Sequence, residues 1–163
     1  MIKLDHNSKL LFLGEELTIE FSDKVFLKPR VLRNGNNIVV FKGESRKHPK
    51  TILNEWLIEQ ARDHIAERVK FYAKNFEFQF KRVAIKDTVS RWGSCSSDKN
   101  LNFNWRLSFA PLKVLDYVIV HELCHTIHLN HSGSFWEEVE RVMPEYKIAE
   151  KWLKINGREL SLG

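Results

Sequence analysis

The sequence predicts an α+β domain, and three observations carry that expectation. Apolar and polar residues alternate over much of 9–41 and again over 76–107, the period of half-buried strands. Between them, residues 49–75 repeat their apolar positions at helical spacing. The third stretch, 112–128, is apolar nearly all round and yet carries H-E-x-x-H as His121, Glu122 and His125. A helix of that kind is buried, and burying imidazoles and a carboxylate is costly unless something pairs with them.

Each element follows from local chemistry. Leu10–Leu13 before Gly14, Leu17–Phe21, Val25–Leu27 and Ile38–Phe41 read as short strands. Asn34-Gly35 marks a turn, placing a hairpin around 31–41. Together they predict a small antiparallel meander. Pro49 suits the first turn of a long helix, because its missing N–H would have had no helical partner. Ile52, Leu53, Trp56, Leu57, Gln60, Ala61, Ile65, Ala66, Val69 and Tyr72 follow helical spacing and form its inward stripe. Phe76, Phe78 and Phe80 share one parity and continue towards Val83–Ile85. Two or three strands are expected between 76 and 107, with 101–107 the clearest. Pro111 opens the helix that includes the histidine stretch. Ser134 with Glu137 predicts a capping box for the following helix, with Ser132 as the alternative cap. Pro144 ends that helix, and a last one is expected over roughly 145–155.

Composition narrows the function classes. At 163 residues with 43% hydrophobic content, the chain can bury a core without disulfides. Its two cysteines, Cys95 and Cys124, make no disulfide framework. Met1–Ser8 lacks the apolar core of a secretory leader, and no run approaches a membrane span. An intracellular, cytoplasmic protein without membrane attachment is therefore expected. The net charge of +5 is uneven, since residues 41–91 carry twelve Lys/Arg against seven Asp/Glu. The density peaks at Lys42, Arg46, Lys47 and Lys50, which reads as a solvated face or as a surface for nucleic acid.

The histidine stretch carries the chemistry. His121 and His125 stand four residues apart, so both rings leave one helix face about a turn apart and can reach one zinc ion. A third protein ligand leaves the fourth position open for water. His128 stays on the same helical face but rises about 10 Å from His121. His131 follows Leu129-Asn130, where a left-handed Asn130 would reverse the chain and return the ring to the metal. Glu137 and Glu138 are the fallback ligands. Glu122 is the natural general base for a metal-activated water. Tyr117, Tyr146, His128 and Arg91 are candidates to stabilise an oxyanion, and Cys95 and Cys124 read as structural. The competing readings are a metal-stabilised binding module without turnover, on nucleic acid or protein, and a zinc amidase acting on a small substrate.

Four segments taken together resemble a known family. They are Arg91-Trp-Gly-Ser-Cys-Ser, Leu101-x-x-Asn104-Trp-Arg-Leu107, Asp116-Tyr-Val-Ile-Val-His-Glu-Leu-Cys-His125 and Asn130-His-Ser-x-x-Phe-Trp136. The set resembles the YgjP-like metallopeptidase-domain family, which is related to the SprT-like zinc proteases. The likeness is densest over 83–153. It implies a zincin-like domain with zinc on His121, His125 and His131 and the catalytic role on Glu122. It implies 1–48 as an N-terminal β region of the same unit and 49–163 as the metallopeptidase core. It also implies a strand near 91–106 beside the cleft, where an extended peptide substrate can pair. Relatives among the SprT-like proteases act on DNA-bound proteins, which makes nucleic-acid proximity a further expectation.

Overall fold

The computed structural model describes residues 1–24, 27–88 and 90–160. Val25 and Phe26, expected in a strand, lie outside the described residues, and Leu27 sits exposed in a bend. The first sheet is built from β1 (Lys9–Phe12), β2 (Glu15–Ser22), β3 (Arg30–Asn34) and β4 (Asn37–Phe41), in the order β1-β2-β4-β3. The hairpin at Asn34-Gly35 forms as expected, with Gly35 at φ 60°. The meander does not, because β2 pairs with β4 in parallel, Thr18 opposite Asn37 and Ser22 opposite Phe41. Side-chain polarity explains the order. β4 buries Ile38, Val40 and Phe41, whereas β3 carries Arg30, Arg33 and Asn34 and has little to bury. The apolar strand takes the interior place and the polar one the edge.

Helix α1 (Pro49–Phe76) starts where His48 accepts a hydrogen bond from the Lys50 N–H and ends at Glu77, which is left-handed at φ 61°. Most of the predicted stripe is buried, from Ile52 and Leu53 to Val69 and Tyr72, whereas Trp56, Gln60 and Ala66 are half-buried and Ala73 is buried in addition. Much of the densest basic cluster is spent locally, since Lys47 pairs with Glu55 and Lys50 with Asp5.

The second sheet contains β5 (Arg82–Lys86), β6 (Gly93–Cys95) and β7 (Asn100–Asn104), in the order β5-β7-β6. β5 and β7 are parallel, while β6 runs antiparallel to β7 and forms an edge. Two stretches of apparent alternation are not strand. Phe76 closes α1 and the chain stays irregular to Phe80. Trp105–Phe109 is a 3-10 turn, capped by the Asn104 side chain, which accepts from the Arg106 N–H. Trp105, Leu107, Ser108 and Phe109 are all buried there, so strand alternation no longer decides which side chains face inward.

The remaining elements are α2 (Leu112–Cys124), α3 (Gly133–Val142), α4 (Tyr146–Asn156) and a closing 3-10 turn, Gly157–Leu160. α2 packs against α1, α3, α4 and β6. Val114, Leu115, Val118, Ile119, Val120 and Leu123 are buried on its various sides. The hydrophobic core joins both sheets, α1 and α2 in one cluster. A polar clamp reinforces the α1–α2 contact. Arg68 donates to both oxygens of Asp116, at 3.1 and 2.7 Å, and the Tyr72 hydroxyl donates to the same carboxylate at 2.9 Å. Ser132, rather than Ser134, caps α3 by accepting from the Phe135 N–H. Among the described residues, no helix is long and apolar enough to cross a membrane.

Candidate metal centre

α2 stops sooner than its apolar pattern suggests. The Thr126 hydroxyl donates to the Leu123 carbonyl at 2.6 Å, and the N–H groups of Ile127 and His128 both turn onto the Cys124 carbonyl. Side-chain competition of this kind favours a tight turn over continued helix. Asn130 is not the left-handed residue expected from the sequence; the non-glycine residues with positive φ are Asn7, Leu13, Glu77 and Lys99 among those described. The reversal begins at Cys124 instead, and the chain from 125 to 131 folds back beside the end of α2.

That turn brings His131 to the pair on the helix. Nε2 of His121 lies 3.3 Å from Nε2 of His125, and Nε2 of His131 lies 3.2 Å from each. Nitrogens bound about 2.0–2.1 Å from a tetrahedral zinc stand about 3.3 Å apart, so the donor set fits such an ion. The tautomers agree. Nδ1 of His125 lies 2.8 Å from the His128 carbonyl, which can only accept, so this nitrogen carries the proton and Nε2 keeps its lone pair. Nδ1 of His121 faces the Tyr117 hydroxyl at 3.5 Å, and that hydroxyl donates to Glu150 at 3.3 Å. Burial, with repulsion from His125 and His131 adding to it, holds the His121 imidazole down at about 3. Its neutral form is the one that can ligate.

Glu122 projects beside this triangle. One carboxylate oxygen, Oε1, is 4.0 Å from Nε2 of His121, while Oε2 is buried without a hydrogen-bond partner. Burial pushes its pKa up to about 7, with the Arg91 charge pulling the other way. A carboxylate oxygen left without a partner can accept a hydrogen bond from a ligand.

Aromatic rings enclose the histidines. Phe135 stacks on His125 at 4.4 Å, and Trp136 stacks on His131 at 6.0 Å. Trp136 also stacks on Tyr146, which stacks on Tyr117 beside His121. α2, α3 and α4 thus lock together around the site. On the opposite side the wall is the segment entering β6. Asn104 holds it: the backbone N–H donates to the Trp92 carbonyl, and the side chain donates to the carbonyls of Thr88 and Arg91. Gly93 then lies so close to Glu122 that a Cβ there would stand 2.9 Å from its Cγ and 3.0 Å from Oε2.

None of the other sequence candidates joins the three imidazoles as a ligand, although Tyr117 touches His121. Glu137 is exposed, Glu138 is paired with Arg141, and neither joins the three imidazoles. The His128 ring also stays out, although its carbonyl orients His125. Burial keeps both thiols protonated, with Cys95 pushed up to about 11 and Cys124 to about 12. Tyr117 is engaged with Glu150 and Tyr146 is in the aromatic stack, while Arg91 lines the cavity over Glu122. Sequence reasoning gave no role to Gly93, Asn104 or Glu150. The first two stand in recognisable motif segments, but only the fold shows what they touch.

Comparison with known proteins bears on the family and the fold. The sequence model described as "YgjP-like, metallopeptidase domain" matches residues 2–156. Among solved structures, the metallopeptidase zymogen abylysin of Pyrococcus abyssi is similar with a TM-score of 0.51 and 22% identity, covering 58% of this chain and 93% of that one. The metallopeptidase zymogen jannalysin of Methanocaldococcus jannaschii gives a TM-score of 0.49 at 24% identity, covering 58% and 95%. Among curated proteins nothing matches.

Proposed function

The chain belongs to the YgjP-like metallopeptidase family and has the α+β, zincin-like fold, and on that footing we propose that it is a zinc-dependent peptidase. In this reading His121, His125 and His131 hold the metal and Glu122 is the general base. The observation that carries it is the triangle of imidazole nitrogens at 3.2–3.3 Å with a buried, unpartnered carboxylate beside it. Bound there, zinc supplies Lewis-acid polarisation of the scissile carbonyl and lowers the pKa of the attacking water.

The chain's own residues supply the rest. Glu122 Oε1, the oxygen nearer the triangle, accepts the proton of the attacking water, and the protonated carboxyl then delivers it to the leaving amine. Burial pushes this carboxyl up to about 7 in the metal-free protein; beside a zinc ion that value would fall, favouring the ionised form that a general base needs. Gly93 leaves room for that carboxylate and, with Trp92, bounds the approach to it. Phe135 shields the back of the buried His125 ring from water, while Trp136 stacks on the exposed His131 ring. β6 offers its free edge to an extended peptide.

Titrating metal-free protein with zinc tests the ligand set. About one zinc should bind per chain. Replacing His121, His125 or His131 by Ala should weaken binding at least about 100-fold, beyond what loss of an outer-shell partner costs. Undiminished affinity in His131→Ala would move the third ligand elsewhere.

A further inference from the structure

Past Trp92 the cleft opens into a second cavity of about 390 Å³. Arg91, Arg106, Lys154 and Arg158 line it, with Trp92 and Leu153 as apolar walls, and no carboxylate takes part in the lining. Arg91, Trp92 and Leu153 also line the smaller cavity of about 240 Å³ that holds His121 and Glu122. The two cavities are therefore neighbouring parts of one cleft. Asp87 lies 3.0 Å from Arg106 and Glu150 lies 3.6 Å from Lys154, so these two cations are partly offset from outside the cavity. Arg91 has no carboxylate partner among the described residues. Its backbone is nevertheless fixed, because its carbonyl accepts from both Thr88 and Asn104. An arginine anchored through its backbone, in no ion pair among the described residues and acting on Glu122 only from a distance, in a concavity lined by three more cations, focuses positive potential beside the proposed catalytic base.

We propose that this cavity is an anion subsite of the active site, seating a carboxylate or phosphate group of the substrate one cavity away from the metal. The guanidinium of Arg91 can donate a pair of parallel hydrogen bonds to either group, which an ammonium cannot do. Trp92 separates the anion from the reacting carbonyl, so that the subsite selects substrates without competing for the metal. The inference deepens the metallopeptidase reading, and rests on it for the direction in which substrate lies.

Calorimetric binding to the zinc-loaded Glu122→Gln variant tests the subsite without turnover. The probes are a glutamate-rich hexapeptide, its glutamine counterpart and inorganic phosphate. The glutamate peptide, or phosphate, should bind at least about 10-fold more tightly than the glutamine peptide, as for a charge-assisted hydrogen bond. Which of the two binds more tightly identifies the source of the anion. The preference should vanish when Arg91→Ala or Arg158→Ala is added and return in part with Arg91→Lys. Each of these variants should keep its zinc and its melting temperature. Equal binding of all three probes, or a preference that survives both alanine substitutions, would overturn the subsite. Anion preference in a protein that hydrolyses no peptide would instead contradict only the peptidase reading.

Discussion

Glu122 and Gly93 show how tightly the site is fitted at the scale of single residues. The carboxylate has its Oε2 buried and unpartnered, and the glycine opposite leaves room for no more than a hydrogen. A side chain at 93 must push Glu122 away from the triangle while leaving the three imidazoles untouched. Gly93→Val should therefore retain zinc and lose on the order of 10² in turnover, the effect expected of a catalytic group displaced by about 1 Å. Zinc content and kcat measured on the same preparation check this, and wild-type kcat with normal zinc would show that the close contact is unimportant. The sequence made His121 and His125 legible because a spacing of four implies a shared helix face, and Glu122 because it stands next to the first of them. It made His131 legible for a partly wrong reason. The return was expected at a left-handed Asn130, whereas it begins at Cys124, where a threonine hydroxyl competes for a helical carbonyl. Nothing in a hydropathy pattern announces that competition.

At the scale of elements, the site depends on parts far apart in sequence being held against α2. Asn104, at the end of β7, is the main tie for Thr88, Arg91 and Trp92, through three hydrogen bonds to their carbonyls. Asn104→Ala removes three side-chain bonds, those to the carbonyls of Thr88 and Arg91 and the cap on the Arg106 N–H, while the Arg91 carbonyl keeps its bond from Thr88. A stability loss of about 1–3 kcal/mol is expected. kcat/KM should fall further than stability explains, because Trp92 and Gly93 lose their anchor. Denaturant unfolding beside steady-state kinetics would separate the two effects; an unchanged kcat/KM would mean that the wall holds without this residue. Helix extents were readable to within a residue or two for α1 and α4, where a proline or a strong apolar stripe marks them. Strand extents were less readable around Phe76–Phe80 and Trp105–Leu107. There alternating aromatics belong to a helix end, an irregular link and a fully buried 3-10 turn.

For the whole molecule, the metal is expected to reinforce contacts that already join α2, α3 and α4. It would tie the end of α2 to the turn before α3, with the aromatic stack from Trp136 to Tyr117 closing the ring through α4. Free zinc at 1,000 times its dissociation constant stabilises by about 4 kcal/mol, which for a chain of this size raises the melting temperature by roughly 8–16 °C. Chelation should reverse the shift and His131→Ala should abolish it. A melting temperature indifferent to chelator would contradict a site built by folding. The α+β class and the buried helix could be read from periodicity, because both reflect what each element must bury. The strand order could not. Parallel pairing of β2 with β4 follows from the relative polarity of β3 and β4, a comparison between strands that no single strand's pattern contains.

The central claim is that one carboxylate moves the proton while three imidazoles only hold the metal. Peptide hydrolysis by zinc-loaded Glu122→Gln tests it most directly, since the amide keeps the shape and removes the base. With zinc still bound at about one per chain, turnover should fall by about 10²–10⁴. Hydrolysis at the wild-type rate by that zinc-loaded variant would contradict the account.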